Sequence, residues 1–153
     1  MSSVEQKLAE MRIEISAVPK PVACYRPCIR VDELVYCSGH GPVRPDGGAV
    51  TGKLGTELSV EQGYEAARLA GINMLCSLKA ELGDLDNVVQ VVKLFGVVQS
   101  ADEFHDQPKV INGCSELFRD VFGDRGVGAR SAVGSNSLPL DWAVEIDGVF
   151  RVK

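Results

Sequence analysis

The sequence predicts an α+β fold, a single sheet carrying two helices on one face. Three observations carry this. A capped helix with an apolar face spans residues 60–82, a β-branched run follows at 88–98, and a second amphipathic stripe extends from Val110 to Phe122 before two more strand-like segments. The order is a few strands, helix, strand, helix, two strands, which packs both helices against a common sheet. A sheet covered on one face leaves the other in need of a partner, so self-association is expected. A chain of 153 residues suffices for one core, so residues 1–153 are expected to form one domain with 1–22 as an N-terminal extension.

At the start, Val4, Leu8 and Met11 recur at helical spacing and predict a short helix packed on the body by that one stripe. Residues 12–16, RIEIS, alternate like a strand, and Pro19 and Pro21 then interrupt regular pairing. Leu34 to Gly39 predicts a central strand, followed by a loop whose Pro45-Asp46-Gly47-Gly48 run is strong turn chemistry. Ser59 and Gln62 have the spacing of a capping box. Tyr64, Ala67, Gly71, Ile72, Leu75, Leu78 and Leu82 then mark one helix face, and Gly83 provides a stop. The run from Val88 to Val98 is too rich in β-branched residues for anything but a strand. Residues 102–105 are expected to cap the second helix, whose stripe is Val110, Ile111, Cys114, Leu117, Phe118, Val121 and Phe122. The glycine-rich residues 123–129 lead into a predicted hairpin over 129–150.

Composition narrows the function classes. With 45% hydrophobic and 24% charged residues the chain has an ordinary globular composition. Its formal charge of −5 gives no basic footprint, so no nucleic-acid partner is expected. No apolar run approaches membrane-spanning length and the opening lacks a signal-peptide core, which sets the expectation of a cytoplasmic protein with no membrane partner. The five cysteines, Cys24, Cys28, Cys37, Cys76 and Cys114, are odd in number and scattered. They are expected as buried free thiols rather than metal ligands, and no metal or organic cofactor is called for.

Chemistry concentrates in the predicted hairpin. Arg130 stands near the start of its first strand and Glu145 inside its second. A permanently charged planar fork suits a carboxylate, and a glutamate held at a useful pKa activates water. Period-two side chains would then set both charges in one concavity, around a small carboxylate-bearing substrate. A structural ion pair between the two is the competing expectation.

These residues and their neighbours resemble the Rid (YjgF) family of reactive-intermediate enamine/imine deaminases. The likeness rests on Tyr25, on Val35-Tyr36-Cys37-Ser38-Gly39 with Pro42, on Leu82-Gly83-Asp84-Leu85, on Asn112 with Leu117-Phe118, on Ala129-Arg130-Ser131, on Leu138-Pro139, and on Val144-Glu145-Ile146. The spacings agree too, 13 residues from Tyr25 to Ser38 and 15 from Arg130 to Glu145. The likeness runs from about residue 23 to the C terminus.

The resemblance implies a chorismate-mutase-like fold assembled as a homotrimer, with clefts between neighbouring subunits. It implies that Arg130 holds the substrate carboxylate and Glu145 handles the water. Tyr25, Ser38, Gly39, Asn112 and Ala132 would bind substrate, partly from the adjacent chain. The implied activity is cofactor-free hydrolysis of 2-enamine/2-imino acids of the 2-aminoacrylate type to 2-oxo acids and ammonia. A non-catalytic trimer binding small carboxylate metabolites is the alternative, with a 2-aminomuconate-type deaminase or an endoribonuclease further behind.

Three features depart from the family pattern. Ala132 stands where many members have cysteine, and His40 where a neutral residue is expected. The N-terminal extension and the loop over residues 42–57 are longer than in the simplest members. His40 is expected as a plain loop residue. Trp142, Tyr36, Tyr64, Cys37 and Cys114 are expected to pack.

Overall fold

A computed structural model describes residues 2–16, 18, 21 and 23–153. Pro19, one of the two prolines expected to break pairing, lies outside them. The elements in order are α1 (Ser3–Glu10), β1 (Cys28–Val31), β2 (Leu34–His40), α2 (Val60–Leu82), β3 (Val88–Gln99), α3 (Gln107–Phe122), β4 (Ala129–Ser135) and β5 (Val144–Val152). The five strands form one mixed sheet in the order β1-β2-β5-β3-β4. The predicted α+β architecture is therefore the observed one.

The predicted hairpin is not. Residues 129–135 pair parallel to β3, with Leu94 opposite Arg130, and β5 pairs antiparallel to both β3 and β2. The unit β3-α3-β4 is thus a helical crossover between parallel neighbours, and the chain must pass over the end of β3 to reach β5 at the centre of the sheet. Alternation within a segment shows that it is a strand but is silent about its partner, which here is non-local. The same order makes β5 the central strand and places β2 second from the edge.

The chain crosses β3 on a fixed bridge built by Gln99. Its buried side chain donates to the Gly52 carbonyl (3.0 Å) and Asp141 Oδ1 (2.7 Å), and accepts from the Leu138 amide (2.8 Å). Truncation leaves the buried Gly52 carbonyl and the half-buried Leu138 amide unpaired. Gln99→Ala is therefore expected to lower the unfolding free energy by about 2–4 kcal/mol, read from urea titration.

The helix over Val60–Leu82 has the predicted bounds because both of its end signals operate. Ser59 accepts from the Gln62 amide while the Gln62 side chain accepts from Ser59, and Gly83 closes the far end at φ 73°. α2 and α3 lie on one face of the sheet, burying Ala67, Ala70, Met74, Leu75 and Leu78 from one and Val110, Ile111, Cys114, Leu117 and Phe118 from the other. They cross closely at Gly113, where a Cβ would stand 2.0 Å from the Tyr64 carbonyl oxygen. No rotamer relieves a clash with backbone. Gly113→Ala is expected to cost at least about 2 kcal/mol by the same measurement.

Two local expectations are corrected. Residues 12–16 form no strand; Arg12 sits at φ 58°, turning the chain out of α1, and Ile13 is buried without strand pairing. The second helix starts at Gln107 with Asp106 as its N-cap residue, beyond residues 102–105. At the N terminus, Val4 and Leu8 are buried as expected, and the first turn of α1 is tied to Asp86 by the Ser3 and Val4 amides at 2.8 and 3.0 Å. Four cysteines are buried free thiols, whereas Cys24 is exposed. Cys28 and Cys37 face each other across β1 and β2 with their sulfurs 3.1 Å apart. Among the described residues, no helix is long and apolar enough to cross a membrane.

Candidate active site

The predicted site residues fall into two groups on opposite faces of the sheet. The first group sits between α3 and β4. Arg130 points toward the helices, and its Nη1 donates to Asn112 Oδ1 (2.8 Å) and Ser115 Oγ (3.2 Å). Ala132, two residues on and on the same strand face, packs against the core. Together with Leu94, Arg119 and Val127, Arg130 lines a cavity of about 300 Å³. Among the described residues, no carboxylate lies within 4.0 Å of the Arg130 guanidinium. The structural ion pair with Glu145 is therefore not formed. Two neutral partners instead hold one edge of the fork and aim it, and Glu116, the acid that lines the same cavity, takes the Tyr64 hydroxyl rather than the guanidinium.

The second group sits at the end of β2. Between the pairs Cys37–Gly148 and His40–Ile146, two residues of β2, Ser38 and Gly39, stand against Asp147 alone. This is a β-bulge, and it re-aims the side chains around it. Gly39 lies directly on Glu145, where a Cβ would come within 2.6 Å of Oε1, so only glycine lets the carboxylate settle there. Ser38 is pinned through its hydroxyl to the Arg26 carbonyl (2.6 Å) and through its amide to the Pro27 carbonyl (2.9 Å), which brings Tyr25 alongside. Tyr25 is half exposed and lines a cavity with Ser38 and Gly39.

Glu145 belongs to the open face of the sheet. Its neighbours Val144 and Ile146 are buried under the helices, and the side chain between them points the other way. Burial pushes its carboxyl pKa above the usual glutamate range, and the charge of Asp147, two residues along on the same face, pushes in the same direction. A carboxyl raised in this manner exchanges protons nearer neutrality than an ordinary glutamate.

His40 differs from the expectation of a loop residue. It ends β2, and the bulge turns its ring inward. Nδ1 lies 2.6 Å from the Ser38 carbonyl, which can only accept, so Nδ1 carries the proton and Nε2 accepts from the Ser77 hydroxyl at 2.8 Å. Burial also lowers its pKa. The ring is a neutral strut between β2 and α2, with neither nitrogen left over.

The single concavity expected for Arg130 and Glu145 is not present in one chain. Arg130 lies opposite Leu94 with its side chain among the helices, and Glu145 lies opposite Val97 with its side chain on the open face. The sheet itself separates them. Sequence reasoning also passed over two participants. Ser115, the second partner of Arg130, lies three residues after Asn112 on the same helix face, a spacing that would have marked it. Asp147 repeats Glu145 at strand period, which would have marked the like-charge pair.

One face of the α+β sheet thus carries an arginine aimed by neutral partners, and the other a glutamate of raised pKa set against a glycine bulge. Among the described residues, no cluster of His, Cys, Asp or Glu is placed to hold a metal. The family model described as "YjgF/chorismate mutase-like, putative endoribonuclease" matches residues 5–146, and the chain belongs to that family. The match takes in α1, where the sequence resemblance began only at about residue 23.

Three relatives are similar over nearly the whole chain. Protein TCP17 of Trypanosoma cruzi is 38% identical over 150 residues, 97% of this chain and 94% of its own. The protein Atu1372 of Agrobacterium tumefaciens, described as of unknown function, is 38% identical with a TM-score of 0.92 over 98% of this chain and 92% of its own. A structure from Shewanella oneidensis MR-1, described as a "putative endoribonuclease", is 27% identical with a TM-score of 0.94 over 99% and 100%.

Proposed function

We propose that this protein is a cofactor-free deaminase that hydrolyses 2-imino acids, formed from 2-enamines such as 2-aminoacrylate, to 2-oxo acids and ammonia. The observation that carries the reading is the Arg130 fork, oriented by Asn112 and Ser115 and in no ion pair among the described residues. Such a group calls for an external carboxylate. The raised pKa of Glu145 favours this reading over a carboxylate binder without turnover, since binding alone has no use for a second, poised acid. A formal charge of −5 and a His40 with both ring nitrogens engaged favour it over ribonuclease action.

The two groups of site residues act together only if two chains contribute, because a substrate held at Arg130 is screened by the sheet from Glu145 of the same chain. The open face invites that association, with Ile29, Val31, Tyr36, Phe95 and Val133 exposed upon it. A head-to-tail contact in which the Arg130 side of one protomer meets the Glu145 side of the next closes as a ring, here a homotrimer with three equivalent clefts.

In such a cleft, Arg130 binds the substrate carboxylate through two parallel hydrogen bonds and fixes the imine carbon. Glu145 accepts a proton from water as the water oxygen bonds to that carbon and the C=N π electrons move to nitrogen, which takes up a proton from solvent. In the resulting carbinolamine the hydroxyl proton passes back to solvent, C=O forms and the C–N bond breaks. Glu145 returns its proton to the departing ammonia. The amide at Gly39 or Ala132 orients the nitrogen and Tyr25 covers the cleft, while the Ser38 amide stays on the Pro27 carbonyl. The chain works from the cytoplasm on a small metabolite, without nucleic acid or membrane as partner.

The reading is tested by generating 2-iminopropanoate in situ with an amino-acid oxidase and following its conversion to pyruvate. Faster decay with protein than without is the expected result. Equal rates across protein concentrations contradict it.

A further inference from the structure

We infer that the cavity between Tyr25 and Trp142 is a specificity subsite that receives a branched or aromatic side chain of the substrate, so that larger 2-imino acids are preferred over the alanine-derived one. The inference rests on the deaminase reading for the position of the reacting carbon, and on the cavity itself for the rest.

The cavity measures about 220 Å³, and Ser38 and Gly39 are common to it and to the Glu145 side of the bulge. An apolar cavity of about 150 Å³ already accepts a benzene ring. Its walls include Tyr25, Pro27, Val43, Leu140 and Trp142. Several polar groups of its lining are already engaged within the chain. His40 spends both nitrogens on Ser38 and Ser77, and the Asn73 amide donates to the Gly41 and Val43 carbonyls at 3.0 and 2.9 Å. A polar occupant would find these groups engaged, whereas an apolar one loses only water.

The shape of the cavity is held independently of any occupant. Gly41 lies flat against the Trp142 indole, where a Cβ would stand 2.3 Å from Cε3. Behind the ring, the loop over residues 42–57 is laced to the same segment: Gly52 donates to the Asp141 carbonyl and Ala143 to the Val50 carbonyl, both at 3.0 Å, and Thr51 bridges Trp142. Leu140, 72% exposed, and Asp141 both adopt φ 58°, an unusual backbone for side chains of these types. The result is an apolar slot braced on its Gly41–Trp142 side, beside the Ser38–Gly39 bulge. A preformed slot of this kind discriminates by side-chain size.

The test compares imines generated from alanine, leucine and phenylalanine, with wild type and Val43→Trp, which fills the slot from one wall. The expected result is a kcat/KM for the leucine- or phenylalanine-derived imine at least about tenfold above that for the alanine-derived one, with Val43→Trp lowering that ratio about tenfold. A wild-type enzyme that hydrolyses the alanine-derived imine as fast as the others overturns the inference and leaves the deaminase reading standing. If no imine is hydrolysed, the deaminase reading fails. Calorimetric binding to wild type then decides the subsite: tighter binding of 4-methyl-2-oxopentanoate than of pyruvate upholds it, and equal binding overturns it.

Discussion

Arg130→Ala is expected to lower kcat/KM for 2-iminopropanoate by about two orders of magnitude or more, since removing one partner of a hydrogen-bonded charge pair costs about 2–5 kcal/mol. The folded structure should tolerate the change, because among the described residues the arginine is in no ion pair. Its losses are confined to single bonds with Asn112 and Ser115. Arg130→Lys keeps the charge and gives up the planar fork, so it falls between wild type and alanine. Steady-state kinetics with unfolding curves on the same samples provide the check. Wild-type kinetics in Arg130→Ala would remove the arginine from the chemistry altogether.

Glu145→Gln is expected to reduce kcat by about 10²–10⁴-fold, the range for loss of a general acid–base group. Its second consequence concerns pH. Burial first, and Asp147 second, raise the folded-state pKa of Glu145 above its unfolded value. Between those two values the native state binds the extra proton, so stability falls as pH rises through the window and stays lower above it. Glutamine takes no part in that loss. Glu145→Gln should therefore be more stable than wild type at neutral pH and lose the advantage below the ordinary glutamate range. The wild-type kcat/KM profile should show an acid limb set above that range, as the base must be ionised to accept a proton, and the variant should lack it. An unaltered profile in the variant would assign the limb to another group.

What the sequence disclosed follows the range of the forces involved. Ser59, Gln62 and Gly83 act within a few residues, and the helix they bound was legible to the residue. The strand over Val88–Gln99 was legible from its β-branched content. Pairing was not, because Arg130 meets Leu94 and Glu145 meets Val97 through contacts remote in sequence. The RIEIS segment had the right alternation for a strand, but Arg12 at φ 58° turns the chain there and the segment joins neither edge strand, β1 nor β4.

Arg130 and Glu145 were likewise named from their chemistry, and Tyr25, Ser38, Gly39, Asn112 and Ala132 from the family resemblance, yet the separation of the two groups could not be. It depends on which face each side chain takes across a crossover and a bulge. The bulge at Ser38 and Gly39 also turned His40 from an expected loop residue into a half-buried strut, an effect that one extra residue in a strand produces without any mark in composition.

The account therefore stands on a site divided between chains, and subunit mixing tests it most directly. Arg130→Ala and Glu145→Gln proteins, each inactive alone, are unfolded together, refolded as mixed oligomers and assayed for imine hydrolysis. A site that takes Arg130 from one chain and Glu145 from the next is intact whenever the Glu145→Gln chain supplies the arginine and the Arg130→Ala chain the glutamate. Random assembly of equal amounts should restore about a quarter of wild-type activity through such head-to-tail contacts. Mixed oligomers that form but stay as inactive as their parents would contradict it.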